Sequence, residues 1–387
     1  MPWRERLPMD ERVHFLSEYR RDGYSMTELC DRYGVSRKTG YKWVARYERD
    51  GAPGLATRSS RPHTSPQATG SQVVAAIVAE RKRHPTWGGK KIVAVLRLRH
   101  PRWAWPAVST ANDVLKRHHL VRARRRRRRV PARGYQPHPV TAPNDVWTVD
   151  FKGQFRLHDG LLCYPLTICD AFSRYLLLCR ALPAPTTAGA RAGFQEAFAR
   201  YGLPRVIRSD NGEPFAAAAL ARLSRLSVWW IRLGIYPELI DPASPQQNGA
   251  HERMHRTLKA EATRPVAPHL GAQQRRFTQY LRHYNHERPH EALGQRFPAT
   301  RYRPSPRSLP RHAPPMTYPG HWEMRRVCAP GIMWWASRRV SVSTVLIGEA
   351  IGLEPIDDGE WMLHFGPLRL ARFDERRSRL TPVGART

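Results

Sequence analysis

The chain has 387 residues and a formal net charge of +33, from 65 Lys and Arg against 32 Asp and Glu. This excess of positive charge predicts a polyanionic partner, nucleic acid before an anionic membrane. The five cysteines form no CxxC pair and are odd in number, which argues against a structural zinc site and a disulfide framework. We find neither a signal peptide nor a membrane-spanning apolar run, so we expect a cytoplasmic protein, nucleoid-associated when bound to DNA, without a membrane partner.

Residues 1–55 are expected to form a helix-turn-helix DNA-binding domain. Gly34 makes the turn between a short second helix and a third helix that Ser36 caps. The start of the third helix is expected to face the major groove with four side chains: Arg37, Lys38, Thr39 and Lys42. Tyr41, Val44 and Tyr47 are expected to pack inward. The alternative is an ordinary three-helix bundle with a basic face.

Three further segments lead to the centre of the chain. Residues 56–70 are rich in Gly, Pro, Ser and Thr and predict a linker, and residues 71–121 predict a second helical, helix-turn-helix-like DNA-binding domain. Residues 122–143 predict a basic linker with the run RARRRRRR, which repels itself and is expected to be ordered by DNA phosphates. Its DNA-binding residues are Arg124, Arg125, Arg126, Arg127, Arg128 and Arg129. The alternatives are a nuclear localisation signal and a disordered tail.

The remaining sequence predicts a multidomain protein with an α/β core at residues 144–297. Three strands in a meander are followed by helix, strand, helix, strand and helix, which indicates a mixed five-stranded sheet with helices on its faces. The predicted helices span residues 187–200, 215–232 and 247–263. Residues 298–321 predict a Pro-rich linker, and residues 322–387 predict a small β-barrel-like domain.

Three carboxylates of this core occupy positions where strand ends meet helix starts. Asp150 lies in the first strand, Asp210 ends the fourth, and Glu252 lies on the helix after the fifth. Three acids brought together would repel each other, and divalent metal removes that penalty. Each has a structural alternative taken alone, since Asp210-Asn211-Gly212 is also a turn signal. The combination predicts a metal site.

The motifs WTVDFKG, LTICDAFSRY, RSDNGEPF, SPQQNGAHERMHRTLK and YNHERPHEAL resemble those of DDE-type insertion-sequence transposases and retroviral integrases, with a ribonuclease H-like catalytic core. That resemblance implies that Asp150, Asp210 and Glu252 are catalytic and hold two Mg²⁺ ions, which Mn²⁺ is expected to replace. It also implies that Lys259 contacts the phosphate beside the cut bond. Arg256 lies on the same helical face as Glu252 and Lys259.

Two features depart from that family's pattern. The stretch between Asp210 and Glu252 holds 41 residues, more than in many members, and no carboxylate stands at the shorter spacing. The zinc-binding His/Cys module of the integrases is absent from the sequence, so the expected helix-turn-helix would bind DNA instead. Asp170 is interpreted as structural, or at most as a neighbour of the metal ligands; Asp241, Glu213 and Glu261 are weaker candidates.

The leading hypothesis is a DNA transposase that binds transposon ends, hydrolyses a phosphodiester at each and joins the ends to target DNA. Its partners would be double-stranded DNA, further copies of the chain on that DNA and an accessory protein that the sequence does not identify. One alternative is a catalytically silent DNA-binding regulator derived from a transposase. Another is a ribonuclease H-type nuclease, which predicts a fourth acidic ligand and leaves the helix-turn-helix unexplained.

Overall fold

The computed structural model describes residues 8–57, 68–121, 138–240 and 249–383. They belong to two units, Met1–Ala68 and Thr69–Thr387. The arginine run Arg124–Arg129 and Asp241 lie outside the described residues, so their expected roles stay predictions. The finer domain boundaries expected from the sequence also stay predictions.

The first unit is built from three short helices. They are α1 (Pro8–Arg20), α2 (Met26–Arg32) and α3 (Arg37–Asp50), followed by a 3-10 turn at Ala52–Leu55. Ser25 and Glu28 form a capping box at the start of α2, and the Ser36 hydroxyl accepts a hydrogen bond from the backbone N–H of Thr39 at the start of α3. Local sequence therefore determines where α2 and α3 begin.

The inward face of α3 differs from the expected one at a single position. Tyr41 is 57% exposed, whereas Gly40 and Val44 are buried. A Cβ at Gly40 would lie 2.7 Å from the Cys30 sulfur and 2.9 Å from Phe15, so only glycine lets α3 approach α1 and α2 this closely. The expectation that Tyr41 packs inward was wrong because the glycine occupies the inward position one residue earlier.

The second unit starts with three helices around one apolar core. These are α4 (Ser71–Arg83), α5 (Gly89–Arg99) and α6 (Val108–Arg117). Ile77 of α4, Ile92 of α5 and the intervening Trp87 are fully buried in that core, and Phe297 from the far end of the core region packs against it. This helical segment is therefore joined to the α/β core region by apolar contact.

The central sheet is mixed and has six strands. They are β1 (Val146–Phe151), β2 (Phe155–Arg156), β3 (Leu162–Asp170), β4 (Leu176–Leu182), β5 (Val206–Ser209) and β6 (Tyr236–Leu239). β3 pairs antiparallel with β1 and β4, whereas β5 pairs parallel with β1 and β6. The expected five strands missed β2, whose two residues pair with the start of β3 and are too short for a hydrophobic pattern to indicate.

Two helices cover each face of this sheet. They are α7 (Thr187–Tyr201), α8 (Arg225–Arg232), α9 (Gly249–Ala262) and α10 (Leu270–His286). Phe194 of α7 and Trp230 of α8 share a core with Trp147 and Val149 of β1. On the opposite face, α9 and α10 share a core with residues of β3 and β4, including Cys169 and Cys179. The α9 side therefore faces the alternate residues of β1.

The expected helix over residues 215–232 is shorter than its apolar pattern indicates. A 3-10 turn occupies Leu220–Arg222, and Ala221 and Arg222 have φ values of 51° and 57°. These left-handed conformations end any preceding helix, and Ser224 then opens α8 with its own capping box. Helix α10 was not predicted at all.

The C-terminal strands form two sheets over a shared core. They are β7 (Glu323–Arg326), β8 (Ile332–Trp335), β9 (Arg338–Ser341), β10 (Ala350–Asp357), β11 (Glu360–Phe365), β12 (Leu368–Asp374) and β13 (Arg379–Pro382). One sheet has the order β13-β12-β11-β10-β7, and β8 pairs with β9. Among the described strands no pairing closes the larger sheet, so the barrel stays a prediction. Of the helices the structure describes, none combines the length and apolarity needed to cross a membrane.

Candidate active site

Asp150 lies in β1, and Asp210 directly follows the end of the neighbouring parallel strand β5 at the same level. The β1–β5 register pairs Val146 with Val206 and Thr148 with Arg208, and its continuation brings Asp150 beside Asp210. Neighbouring strands are about 4.8 Å apart. Trp147 and Val149 point into the α7–α8 core, so the alternate residue Asp150 points to the α9 side. Sheet geometry therefore brings together two acids that are 60 residues apart in sequence.

The backbone around Asp210 forms a tight turn. The Gly212 N–H donates to Asp210 Oδ1 at 3.2 Å, and Asn211 Nδ2 donates to the Ile240 carbonyl at 2.6 Å. A Cβ at position 212 would lie 3.3 Å from the Asp210 carboxylate. The turn signal in the sequence and the candidate ligand are thus the same feature, because the turn presents Asp210 at the end of β5.

The electrostatics of Asp150 reflect its two acidic neighbours. Burial and, after it, the charges of Asp210 and Glu252 together raise the pKa of Asp150 to about 7, against the opposing charge of Lys152. Burial also raises the pKa of Asp210. The Asp150 side chain keeps 22% of its surface exposed, so an ion from solvent can reach it. Repulsion among the three carboxylates is the penalty that a bound cation removes.

Glu252 belongs to the exposed face of α9. Glu252, Arg253, Arg256 and Lys259 are all exposed, whereas His251, Met254, His255 and Leu258 are buried. Glu252, Arg256 and Lys259 follow the i, i+4, i+7 spacing of one helical face. The carboxylate and two cations can therefore approach one phosphodiester together.

Two buried histidines join α9 to the sheet beneath the acids. His251 Nδ1 lies 2.8 Å from Thr148 Oγ1, and His251 Nε2 lies 2.7 Å from Thr167 Oγ1. His255 Nε2 also lies 2.7 Å from Thr167 Oγ1, and His255 Nδ1 lies 3.5 Å from Asp150 Oδ2. Thr167 is directly opposite Asp150 in the β1–β3 ladder. This histidine–threonine network, His251, His255, Thr148 and Thr167, fixes α9 relative to Asp150.

The network carries no charge near neutral pH. Burial lowers the pKa of His255 to about 3 and also lowers the pKa of His251 well below its usual value. The 3.5 Å approach of His255 to Asp150 is therefore not an ion pair. The Thr167 hydroxyl donates to the Asp150 carbonyl at 3.0 Å, so each neutral imidazole must donate its Nε2–H to Thr167 Oγ1.

Sequence reasoning missed the histidine–threonine network. His255 stood among the basic residues around Glu252, yet it is buried and neutral rather than directed at a phosphate. The available signal was the spacing of His251, Met254, His255 and Leu258, which places all four on one buried helical face. The two threonine partners could not be found in the same way because they lie on strands that are far from α9 in the sequence.

Asp170 is a buried carboxylate with a different environment. It accepts hydrogen bonds from the Asn144 N–H at 2.8 Å, the Ser173 N–H at 2.7 Å and the Ser173 hydroxyl at 2.5 Å. These donors fix the turn between β3 and β4. Asp170 is therefore already satisfied by protein groups.

The structure brings some of the candidate residues together and not others. Asp150 interacts electrostatically with Asp210 and with Glu252, and Arg256 and Lys259 lie on the same helix as Glu252. No group of three or more His, Cys, Asp or Glu side chains within the described ranges is arranged to hold a metal ion. Arg37, Lys38, Thr39 and Lys42 belong to α3 of the first unit, where Arg37, Lys38 and Lys42 are exposed.

Comparison with known families identifies the domain that carries these acids. Residues 140–245 and 233–298 match two family models, each described as "Integrase core domain". Residues 5–83 match a model described as "leucine-zipper of insertion element IS481". Residues 140–298 are therefore similar to integrase core domains.

Similar proteins include viral polyproteins and a bacterial insertion element. The "Gag-Pol polyprotein" of baboon endogenous virus (strain M7) is 33% identical over 122 residues, 32% of this chain and 7% of that protein. The "Insertion element IS476 uncharacterized 39.2 kDa protein" of Xanthomonas euvesicatoria is 29% identical over 180 residues, 46% of this chain and 50% of that protein. The chain spans at most half the length of these relatives. The resemblance to insertion-sequence transposases with an integrase-like core, indicated by the motifs, is confirmed.

Two solved structures are also similar, at low scores. The simian T-cell lymphotropic virus intasome has 20% sequence identity and a TM-score of 0.37, covering 76% of this chain and 98% of that chain. The HTLV-2 integrase catalytic core domain in complex with magnesium has 15% identity and a TM-score of 0.31, covering 42% of this chain and 98% of that chain.

Proposed function

We propose that this chain is a DNA transposase that hydrolyses a phosphodiester at each transposon end. The freed 3′-hydroxyl then attacks a phosphodiester of target DNA, whose own 3′-oxygen leaves, so that the end is joined to the target. The observation that supports this most directly is the strand register that brings Asp150 level with Asp210, with Glu252 near enough for its charge to raise the pKa of Asp150. Acids held together at the ends of two central strands, beside cations on α9, are suited to phosphodiester chemistry. The integrase core domain found over the same residues supports the same reaction class.

Divalent metal fits the donors available here. All three candidate ligands are carboxylates, and Mg²⁺ prefers hard oxygen ligands with substrate phosphate completing its shell. Two bound Mg²⁺ ions, or Mn²⁺ in their place, would activate the attacking oxygen and stabilise the leaving one. Asp150 and Asp210 would hold the ions from the sheet. Glu252, as an exposed side chain in the first turn of α9, can change rotamer to complete the site.

The other residues of the site would hold the substrate and the ligands in place. Arg256 and Lys259 would bind phosphate oxygens on the exposed face of α9. The histidine–threonine network would keep α9 in register with β1, because its neutral hydrogen bonds join His251 and His255 to Thr148 of β1, the strand that carries Asp150, and to Thr167 of the neighbouring β3. Asp170 would hold the adjacent turn and leave the chemistry to the other acids.

The parts outside the core would recognise DNA. We propose that α2 and α3 act as a helix-turn-helix, with Arg37, Lys38, Thr39 and Lys42 at the major groove and Tyr41 beside them. Residues 71–121 and Arg124–Arg129 would add contacts with the backbone. The C-terminal sheets, which share one core, would form a small barrel-like domain. Because two DNA ends must be held at once, further copies of the chain would assemble on the DNA, and an accessory protein can join them.

The experiment is cleavage of a labelled duplex that carries the element's own end, with Mg²⁺, by wild type and Glu252→Gln. Cutting at the end by wild type alone is expected. Equal cutting by both would remove Glu252 from the site. Tight binding without cutting by either would favour the regulator derived from a transposase. Cutting of RNA–DNA hybrid without cutting of duplex ends would favour the ribonuclease H-type nuclease.

A further inference from the structure

A large cleft lies beside the candidate active site. Its volume is about 1050 Å³, and its walls come from α4, α5 and residues 119–121 on one side, and from α9 and residues 284–292 on the other. Ala250, Arg253, Arg256 and Ala260 bring one face of α9 into the cleft over nearly three turns. Arg256 is one turn from Glu252, so the cleft adjoins the exposed face of α9 that carries Glu252.

The lining of the cleft is strongly basic. Among the described residues that line it, seven are Arg or Lys, and Glu291 alone is acidic. That glutamate is already paired outside the cleft, because the Lys90 ammonium lies 2.5 Å from its Oε1. Positive charge concentrated in a concave surface favours an anionic ligand.

Some of these cations are used by the protein itself. Arg288 Nη1 lies 2.5 Å from Glu261 Oε1, and the Thr86 hydroxyl donates to the same glutamate. Lys91 donates to the Pro289 carbonyl, and Arg81 donates to the Leu120 carbonyl at 2.7 Å. Stacking of His84 on Trp87 and His283, with centroids 3.9 and 5.1 Å from His84, adds to these links. The two walls are therefore tied together before any ligand arrives.

The other cations of the cleft are not engaged in such links by the described residues. Within the part of the chain that the structure describes, Lys82, Arg174, Arg253 and Arg256 make no salt bridge and no side-chain hydrogen bond. Arg174 is half-buried, and its pKa is lowered by burial and by the charge of Arg253. The two guanidinium groups of Arg174 and Arg253 repel each other, and an anion bound to both would relieve that repulsion.

The cleft is better matched to a chain of phosphates than to one small anion. From Glu252 to Ala260 α9 rises about 12 Å, at about 1.5 Å per residue. Phosphates along one DNA strand advance by about 3.4 Å each, so this distance spans three to four of them. Tied walls also mean that little order has to be created on binding.

We propose that this cleft binds the sugar–phosphate backbone of the DNA strand that flanks the cut bond. Lys82, Arg174 and Arg253 contact its phosphates. Arg256, one turn from Glu252 on α9, contacts the phosphate next to the reacting phosphodiester. The inference rests on the proposed function for the identity of the DNA. It adds a binding surface that includes α4, which the integrase core domain does not contain.

The test is equilibrium binding of a labelled end duplex to the full chain across a salt series. The variant combines Lys82→Gln, Arg174→Gln and Arg253→Gln, and the matched control combines Arg97→Gln, Arg275→Gln and Arg282→Gln, three exposed arginines outside the cleft. Each lost phosphate contact reduces the slope of log K against log salt by about 0.9, so the cleft variant is expected to lose up to about 2.7. The control is expected to lose much less. Equal losses, or a wild-type slope in the cleft variant, would overturn the proposal.

A second measurement locates the DNA directly and does not depend on how the triple variant folds. In a Cys328→Ser background, which removes the one exposed cysteine of the described residues, Ala260→Cys places a thiol in the cleft and Thr278→Cys places one on exposed α10. Duplex with thiol-tethered phosphates is expected to crosslink to position 260 only. Crosslinking at 278 alone, or at neither position, would contradict the proposal. Cleft-dependent binding by a protein that never cuts would overturn the proposed function and leave the cleft assignment standing.

Discussion

Helix α9 has one face buried against the sheet and one exposed face, and the two differ in charge as well as in burial. The buried face holds His251 and His255 as neutral hydrogen-bond donors to Thr167. The exposed face holds Glu252 among three cations that have no protein partner in the described chain. The buried face can therefore fix position while the exposed face remains available for metal and phosphate. Changes to each should give different kinds of defect.

The largest expected effect is on the exposed face. Glu252→Gln should reduce end cleavage at least about 10²-fold, because it removes a charge that acts on the transition state. The midpoint of thermal unfolding without metal should not fall. Glu252 is exposed, and its negative charge repels that of Asp150, so its removal costs the fold nothing there. Cleavage rates and thermal unfolding of the same preparation check both parts. A lower midpoint without metal would mean that this face has a structural role.

A change on the buried face should lower stability as well as cleavage, whereas a change on the exposed face lowers cleavage alone. His255→Ala should lower the free energy of unfolding by about 1–3 kcal/mol, the cost of leaving buried polar groups unsatisfied. It should also lower cleavage about 10- to 100-fold, the effect of removing a group that orients a ligand. His255→Asn keeps a side-chain donor and should recover part of the cleavage rate at unchanged KM. If His255→Asn recovers stability but not the cleavage rate, His255 acts in folding and does not position Asp150.

Metal binding at Asp150 should depend on pH. Because the pKa of Asp150 is raised from 3.8 to about 7, the metal-free protein holds a proton there that an ion must displace below pH 7. Apparent Mg²⁺ affinity should therefore fall up to about tenfold per pH unit below 7. The same shift stabilises the metal-free protein below pH 3.8, and that contribution is lost as pH rises through 7. Thermal unfolding with and without Mg²⁺ at pH 6 and pH 8 measures both effects, and Asp150→Asn should remove them.

The smallest expected effect is loss of one phosphate contact. Lys259→Gln should weaken DNA binding a few-fold and reduce the salt slope by about 0.9. Arg275→Gln, on the exposed side of α10, is the control and should leave the slope unchanged. A slope that is the same in both variants would mean that Lys259 does not touch the backbone.

Much of the core could be predicted because its signals are local. Alternating apolar residues gave the strands β1, β3 and β4, and the order of elements gave a mixed sheet. Asp150 and Asp210 could be placed together because the ends of neighbouring strands meet at one edge. Glu252 is in the first turn of a helix whose apolar residues recur at helical spacing.

Backbone conformations that side-chain type does not reveal, and contacts between residues distant in the sequence, could not be predicted. The helix expected from residue 215 was interrupted by left-handed Ala221 and Arg222. The histidine–threonine network joins α9 to two strands, and its chemistry appears only when the fold brings them together. The long stretch between Asp210 and Glu252 contains α8, whose Val228 and Ile231 pack into the C-terminal core. That contact was not visible in the spacing alone.

The central claim is that Asp150, Asp210 and Glu252 hold divalent metal together. The most direct measurement is the rise of the thermal midpoint with Mg²⁺ at pH 8 for wild type, Asp150→Asn, Asp210→Asn and Glu252→Gln, with Asp170→Asn as a carboxylate control. Selective binding to the folded state raises the midpoint of wild type and of Asp170→Asn, measured from each variant's own metal-free value, and the rise should be lost in the other three. An equal rise in all five proteins would contradict the site.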